Sequence, residues 1–243
     1  MILFASDVHL SPRATGATQL FIDFLSGPAR QANALYLLGD LFEAWVGDDD
    51  LDDPYHQKIV AALRSTAASG TKISVMHGNR DFLLGEVFAQ AAGVRCISDP
   101  YILSTAEWQF VLSHGDALCL DDTEYQQFRA QVRDPAWQTE FLRQPLATRR
   151  AIAAQMRSAS EKHQRAKPQP YTDLSPDATD DFLRQHGYAT FIHGHTHQPA
   201  THDHIVDGIH IERWVLADWH EDQGEYLIWD GEKLSRQTLQ NTP

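Results

Sequence analysis

Ala34-Leu35-Tyr36-Leu37-Leu38-Gly39-Asp40-Leu41-Phe42 decides how this chain folds. A short apolar run that stops abruptly at Gly-Asp is the pattern of a buried strand delivering a carboxylate to the C-terminal edge of a sheet, where open α/β folds bind ligands. Four other apolar runs end in the same manner. They are followed at once by Asp7 and His9, by Asn79, by His114, and by His195 and His197. The recurrence predicts a metal cluster at one sheet edge, with Asp40 shared between two ions.

Working outward, Ile2 to Ala5 reads as a strand. It meets an acid after a few apolar residues and has no basic region before it, so a strand rather than a signal peptide is expected. A helix over Gln19 to Leu25, ended by Pro28, joins it to the run at Ala34 as a right-handed βαβ unit. Helical spacing recurs from Tyr55 to Ala68, with a stop at Gly70. A strand from Lys72 to Met76 leads into His77-Gly78-Asn79-Arg80-Asp81-Phe82, and a helix over Leu83 to Ala92 follows. Strands are expected around Tyr101 to Thr105, Trp108 to Leu112 and Ala189 to Ile192. A helix over Ser175 to Gln185 is expected to be capped by Ser175, with Pro176 at its first position. Ile209 to Leu216 and Glu225 to Trp229 read as antiparallel finishing strands.

Between Asp121 and Gly187 strand signals vanish. Helical segments there are broken by Pro135, Pro145 and Pro168-Gln169-Pro170, and Phe128, Val132, Trp137, Phe141, Leu142, Leu146, Ile152 and Met156 are expected on one apolar face. This predicts a core of residues 1–120 and 171–243 with a helical cap, 121–170, inserted over the ligand-bearing edge. The acidic run Asp48-Asp49-Asp50-Leu51-Asp52-Asp53 lacks the loop spacing and terminal Glu of an EF-hand, so a solvated loop is expected.

A chain of 243 residues, 42% hydrophobic and 22% charged, suits one soluble domain with an insertion. Cys96 and Cys119 form no disulfide framework, which points to a reducing compartment. No run approaches the roughly 18 apolar residues of a membrane span. The net charge of −13 argues against nucleic acid as a partner, and nothing indicates an obligate protein partner. The charge is uneven. From Arg143 to Lys167 seven basic residues face one acid, Glu161. On residues alone this stretch is either a solvated helix face or a site for an anionic ligand or an anionic membrane surface.

The order of the motifs (Asp-x-His, Gly-Asp, Gly-Asn-x-Asp, His-Gly, Gly-His-x-His, each after a strand) resembles that of the calcineurin-like metallophosphoesterases. The resemblance implies an α/β fold, a four-layer αββα sandwich. One metal would take Asp7, His9, Asp40 and His197, the other Asp40, Asn79, His114 and His195. Two ions about 3.5 to 4 Å apart around a bridging carboxylate acidify a water and neutralise phosphoryl oxygens. Asp, Asn and His donors without thiolate suit manganese, iron or zinc better than calcium, and manganese is expected. The remaining histidines read as structural or surface residues.

Many relatives carry His after Gly-Asn. Here the residue is Arg80, a planar fork for phosphate oxygens that cannot usefully donate a proton. A phosphomonoester leaving group needs no donor, so Arg80 favours cleavage of a phosphoanhydride. Longer strings, Gly39 to Asp50, His77 to Gly85, His114 to Asp122, and Pro145 to Arg149 through Met156 to Ser160, resemble the family of UDP-2,3-diacylglucosamine diphosphatases of Gram-negative lipid A synthesis. That resemblance implies water attack on the α-phosphorus, giving UMP and 2,3-diacylglucosamine 1-phosphate. The residues acting on the substrate would be Asp40, Asn79, Arg80, His114 and His195, with substrate contacts from Asn79, Arg80, Asp122, Ser160, Gln164, Lys167 and His195. Gln164 departs from the Asn of the family pattern, as does the Pro-rich stretch after Lys167. The basic, apolar cap would then meet the diphosphate and acyl chains of a lipid-linked sugar nucleotide, on a protein lying peripherally on the cytoplasmic face of the inner membrane. Another nucleotide-diphosphate hydrolase of the same superfamily, or an inactive scaffold, is the alternative.

Overall fold

The structure is a computed structural model in which the described residues are 1–166 and 173–240, with backbone alone described for 159–166. In chain order its elements are β1 (Ile2–Ala5), α1 (Thr15–Ser26), β2 (Ala34–Leu38), α2 (Pro54–Ala68), β3 (Lys72–Met76), α3 (Glu86–Ala92), β4 (Arg95–Ile97), β5 (Tyr101–Ser104) and β6 (Gln109–Ser113). Three helices follow: α4 (Thr123–Val132), α5 (Pro135–Leu142) and α6 (Leu146–Ala166). The chain finishes with α7 (Pro176–Gln185), β7 (Thr190–His193), β8 (Ala200–Val206), β9 (Ile209–Val215), β10 (Gln223–Trp229) and β11 (Leu234–Gln240).

Two sheets form, ordered β11-β10-β1-β2-β3-β4 and β5-β6-β7-β9-β8. β1 to β4 pair in parallel, so the chain must return along helices, and α1 to α3 cover the outer face of the first sheet. Alternate residues of each strand serve different layers. Leu3, Leu35 and Val75 pack outward with Phe21, Phe24, Ile59 and Phe88. Phe4, Tyr36 and Met76 point inward against Phe110, Leu112 and Ile192 of the second sheet. Beyond that sheet, Val111, Phe191 and Ile211 meet Leu183 of α7. Strands buried on both faces explain the unbroken apolar runs, and the four layers match the expected sandwich.

Several local expectations need correction. The helix expected from Leu83 starts at Glu86, because Asp48 accepts hydrogen bonds from the N–H groups of Gly85 (3.0 Å) and Phe88 (2.9 Å) and fixes the start there. Ser175 does precede α7, but its hydroxyl accepts from the Leu120 N–H (3.0 Å) rather than capping its own helix. β9 is not simply antiparallel: it pairs in parallel with β7 and antiparallel with β8.

The acidic run is not a solvated loop. Asp53 caps α2 through the Tyr55 N–H (2.9 Å), Asp50 is buried, and Asp49 and Asp50 bind Arg149 and Arg150 of α6. Arg149 itself is 1% exposed and also donates to the carbonyls of Val46 and Gln144. The unlike charges flagged a hundred residues apart therefore meet and dock α6, so Arg149 and Arg150 serve packing rather than an incoming anion. The apolar residues of this region do not share one face either. Phe141, Trp137 and Ile152 pack onto the main core, whereas Leu142 and Met156 are exposed. Cys96 and Cys119 are free, and the expected break at Pro168-Gln169-Pro170 lies outside the described residues.

Candidate metal centre

The C-terminal ends of β1, β2, β3, β6 and β7 present their loops on one side of the two sheets. The first two loops run together, the Asp7 N–H donating to the Gly39 carbonyl (3.1 Å) and the His9 N–H to the Asp40 carbonyl (3.0 Å). The last two are joined by the Gly194 N–H and the His114 carbonyl (3.1 Å). A Cβ at Gly78 would collide with the side chain and backbone of Asp40, and one at Gly194 with Ser6 and Asp7. Glycine in these motifs is what lets ligand loops approach each other. Asp7, His9, Asp40, His195 and His197 all have left-handed backbones, with φ of 53°, 52°, 51°, 66° and 53°. Non-glycine residues rarely adopt this conformation, and its concentration here marks a functional site.

All seven expected ligand residues come together. His9 Nε2 and His197 Nε2 lie 3.3 Å apart, and His197 Nε2 is 3.3 Å from Asp7 Oδ1. Asn79 Oδ1 lies 2.9 Å from both His114 Nε2 and His195 Nδ1. His114 Nε2 is 3.7 Å from Asp40 Oδ1. Donor atoms of Asp7, His9 and His197, and of Asp7, Asp40 and His114, fall within 4.8 Å of one another, so Asp7 belongs to both groups. Arg80 lies alongside, its Nε 3.2 Å from Asp40 Oδ2 and its backbone N–H donating to Asp40 Oδ1 (2.9 Å).

The electrostatics describe a centre short of positive charge. Burial pulls the His114 imidazole down, yet the carboxylates of Asp40, Asp7 and Asp116 raise it to about 9. Burial likewise disfavours protonated His197, but Asp218 and Asp7 raise it to about 11. Asp7 is held well below the usual carboxylate range, the hydrogen bond and charge of His197 outweighing its desolvation. His195 falls to about 4, through burial and the neighbouring His114. Two histidines thus gather protons where buried carboxylates demand cations. With converging nitrogens and no thiolate, this donor set fits two divalent ions.

Four carboxylates organise the site without having been assigned from sequence. Asp81, fully buried, accepts from Leu41 N–H (2.7 Å), Phe42 N–H (3.3 Å) and Gly78 N–H (2.8 Å), tying the β2 loop to the β3 loop. Glu43 contacts His9, Arg80 and Arg157. Asp218 lies 3.2 Å from His197 Nδ1. Asp116 binds Arg129 Nε (2.8 Å) and accepts from the Tyr125 hydroxyl (2.5 Å), which places the Tyr125 ring 5.6 Å from that of His195. Asp81 sits in a quoted motif and could have been found there. Glu43 and Asp218 carry no spacing signal. Among the expected substrate contacts, Asp122 caps α4 through the Tyr125 N–H (3.2 Å). The side chains of Ser160 and Gln164, and all of Lys167, lie outside the described residues. His77 and His193 are structural, bound to the Leu84 carbonyl and to Arg213.

A two-sheet sandwich carrying Asp, Asn and His donors on five strand-end loops is the arrangement of a metal-dependent phosphoesterase. The calcineurin-like phosphoesterase family model matches residues 1–199. A UDP-2,3-diacylglucosamine hydrolase of Aromatoleum aromaticum is 50% identical, over 94% of this chain and 93% of the relative. Those of Stenotrophomonas maltophilia (46% identical, 98% of each chain) and Chromobacterium violaceum (47%, 94% of each) are similar. The chain belongs to the calcineurin-like phosphoesterases and, within them, to the group of the UDP-2,3-diacylglucosamine hydrolases. Among the described residues no helix is long and apolar enough to cross a membrane.

Proposed function

We propose that the chain hydrolyses the diphosphate of UDP-2,3-diacylglucosamine, water attacking the α-phosphorus to give UMP and 2,3-diacylglucosamine 1-phosphate. The observation that carries the reading is the convergence of seven donors from five loops beside Arg80. Asp7, His9, Asp40 and His197 would hold one ion, and Asp40, Asn79, His114 and His195 the other, with Mn2+ as the proposed ion. When bound, two such ions neutralise phosphoryl charge and lower the pKa of a nearby water. Arg80, oriented by Asp40 and Glu43 (3.1 Å), takes phosphate oxygens in its fork and keeps its proton. A phosphomonoester leaving group, with a second pKa near 6, departs without a proton donor. Asn79, Arg80, Asp122, Ser160, Gln164, Lys167 and His195 contact the substrate.

The helices α4 to α6 serve as a cap, in which exposed Leu142 and Met156 meet acyl chains. The protein lies peripherally on the cytoplasmic face of the inner membrane. Turnover of the diacylated substrate with Mn2+ in oxygen-18 water tests this directly. The label is expected in UMP. Label in the sugar phosphate would overturn α-attack, and equal turnover of soluble nucleotide diphosphates would overturn the lipid assignment.

A further inference from the structure

The two groups of histidines in the centre are not supported alike. Behind His197, Asp218 Oδ2 stands 3.2 Å from Nδ1, and behind His9, Glu43 Oε2 stands 3.3 Å from Nδ1. Both rings therefore turn Nε2 toward the common space. On the other side, His114 Nδ1 is held by a neutral group, the Leu38 carbonyl (2.9 Å), while Nε2 faces Asn79. His195 turns Nδ1 inward to the same neutral amide oxygen (2.9 Å). Asp116, a buried carboxylate close to this second pair, is matched by the Arg129 guanidinium at 2.8 Å.

The two backing carboxylates also differ. Glu43 divides its charge among His9, Arg80 and Arg157, and its contact with His9 falls outside hydrogen-bond alignment. Among the described residues, Asp218 pairs with the imidazoles of His197 and, at 3.5 Å, His220. Its placement is firm. The Leu216 N–H donates to the His193 carbonyl (2.8 Å) and the Trp219 N–H to the Asp7 carbonyl (3.0 Å), so the loop is tied to two ligand strands. The Trp219 ring is wedged edge-on against Phe21 and Phe24. A carboxylate fixed behind an imidazole orients the ring and makes its other nitrogen a stronger donor to an ion.

We infer that Asp218 is a positioning residue, and that through His197 it makes the ion position of Asp7, His9, Asp40 and His197 the tighter of the two. The inference rests on the two-ion reading above and says which position fills first. Its test uses chelator-stripped full-length protein titrated calorimetrically with Mn2+ alone, so the identity of the substrate does not enter. Two binding events are expected. His197→Ala removes the tighter and His195→Ala the weaker.

Asp218→Asn weakens the tighter event about 10- to 100-fold and is partly rescued by Asp218→Glu. Two equal events in wild type, or an Asp218→Asn variant that spares the event His197→Ala removes, would overturn the inference while sparing the two-ion reading. Absence of any Mn2+ uptake by wild type would overturn both.

Discussion

Replacing Asp81 should separate its work as an acceptor from the burden of its charge. In Asp81→Ala, the N–H groups of Leu41, Phe42 and Gly78 lose a buried acceptor. At about 1 to 3 kcal/mol for each unsatisfied buried group, and allowing water to reach one of them, the cost is about 2 to 6 kcal/mol. Asp81→Asn keeps an acceptor for one side but aims its amide N–H at the donor on the other, which costs about 1 to 3 kcal/mol. It also removes a charge that the fold tolerates badly, since burial and the nearby Asp40 raise the Asp81 carboxyl from 3.8 to about 6. That rise corresponds to about 3 kcal/mol of relief, which Asp81→Ala gains equally, so the two variants differ by the acceptor that Asn keeps.

Calorimetry of the metal-free protein is therefore expected to show Asp81→Ala melting below Asp81→Asn, by about 2 to 4 °C for each kcal/mol of acceptor lost, with Asp81→Asn within about 5 °C of wild type. The pH dependence follows. A carboxyl whose folded pKa lies above its unfolded one favours folding at low pH, so its contribution is fully present below about 4 and lost as pH rises through about 6. Asp81→Asn should lack that slope. An Asn variant as unstable as Ala would show that Asp81 does not tie the ligand loops together.

Arg80→Ala should lower turnover by at least about tenfold, as expected for a lost charge-stabilising group, while Mn2+ titration still shows two ions; an unchanged rate removes Arg80 from the reaction. Arg149→Ala leaves the Val46 and Gln144 carbonyls without their donor, whereas Asp49 is exposed enough to be solvated. The cost is about 2 to 4 kcal/mol, read as a melting temperature about 5 to 15 °C lower and faster proteolysis within α4 to α6. Cys119 is buried and its thiol is pushed up to about 12 by burial and nearby carboxylates. Native protein at pH 8 should therefore alkylate at one thiol at most, and unfolded protein at both.

The ligands were legible because each lies within a few residues of a strand end, so strand periodicity and motif order point to the same place. Residues acting across the fold were not. The acidic run from Asp48 looked solvated because its partners, Arg149 and Arg150, lie a hundred positions away. Asp218 has no signal at all, since only the turn after β9 brings it behind His197. β8 and β11 went unread for a different reason. Thr-His-Asp-His-Ile-Val in β8 is polar because it edges its sheet with one face wet, and β11 edges the other. The stripe over Phe128 to Met156 was overread because spacing shows that residues are apolar, not which neighbour each will find.

The left-handed residues change how this site should be probed by mutation. Alanine at Asp7, His9, Asp40, His195 or His197 deletes the donor but inherits a twist that the peptide chain resists, at about 1 kcal/mol or more per residue. Glycine deletes the donor and relaxes that twist. Asp7→Gly should therefore melt above Asp7→Ala in the metal-free state, though both lack the carboxylate.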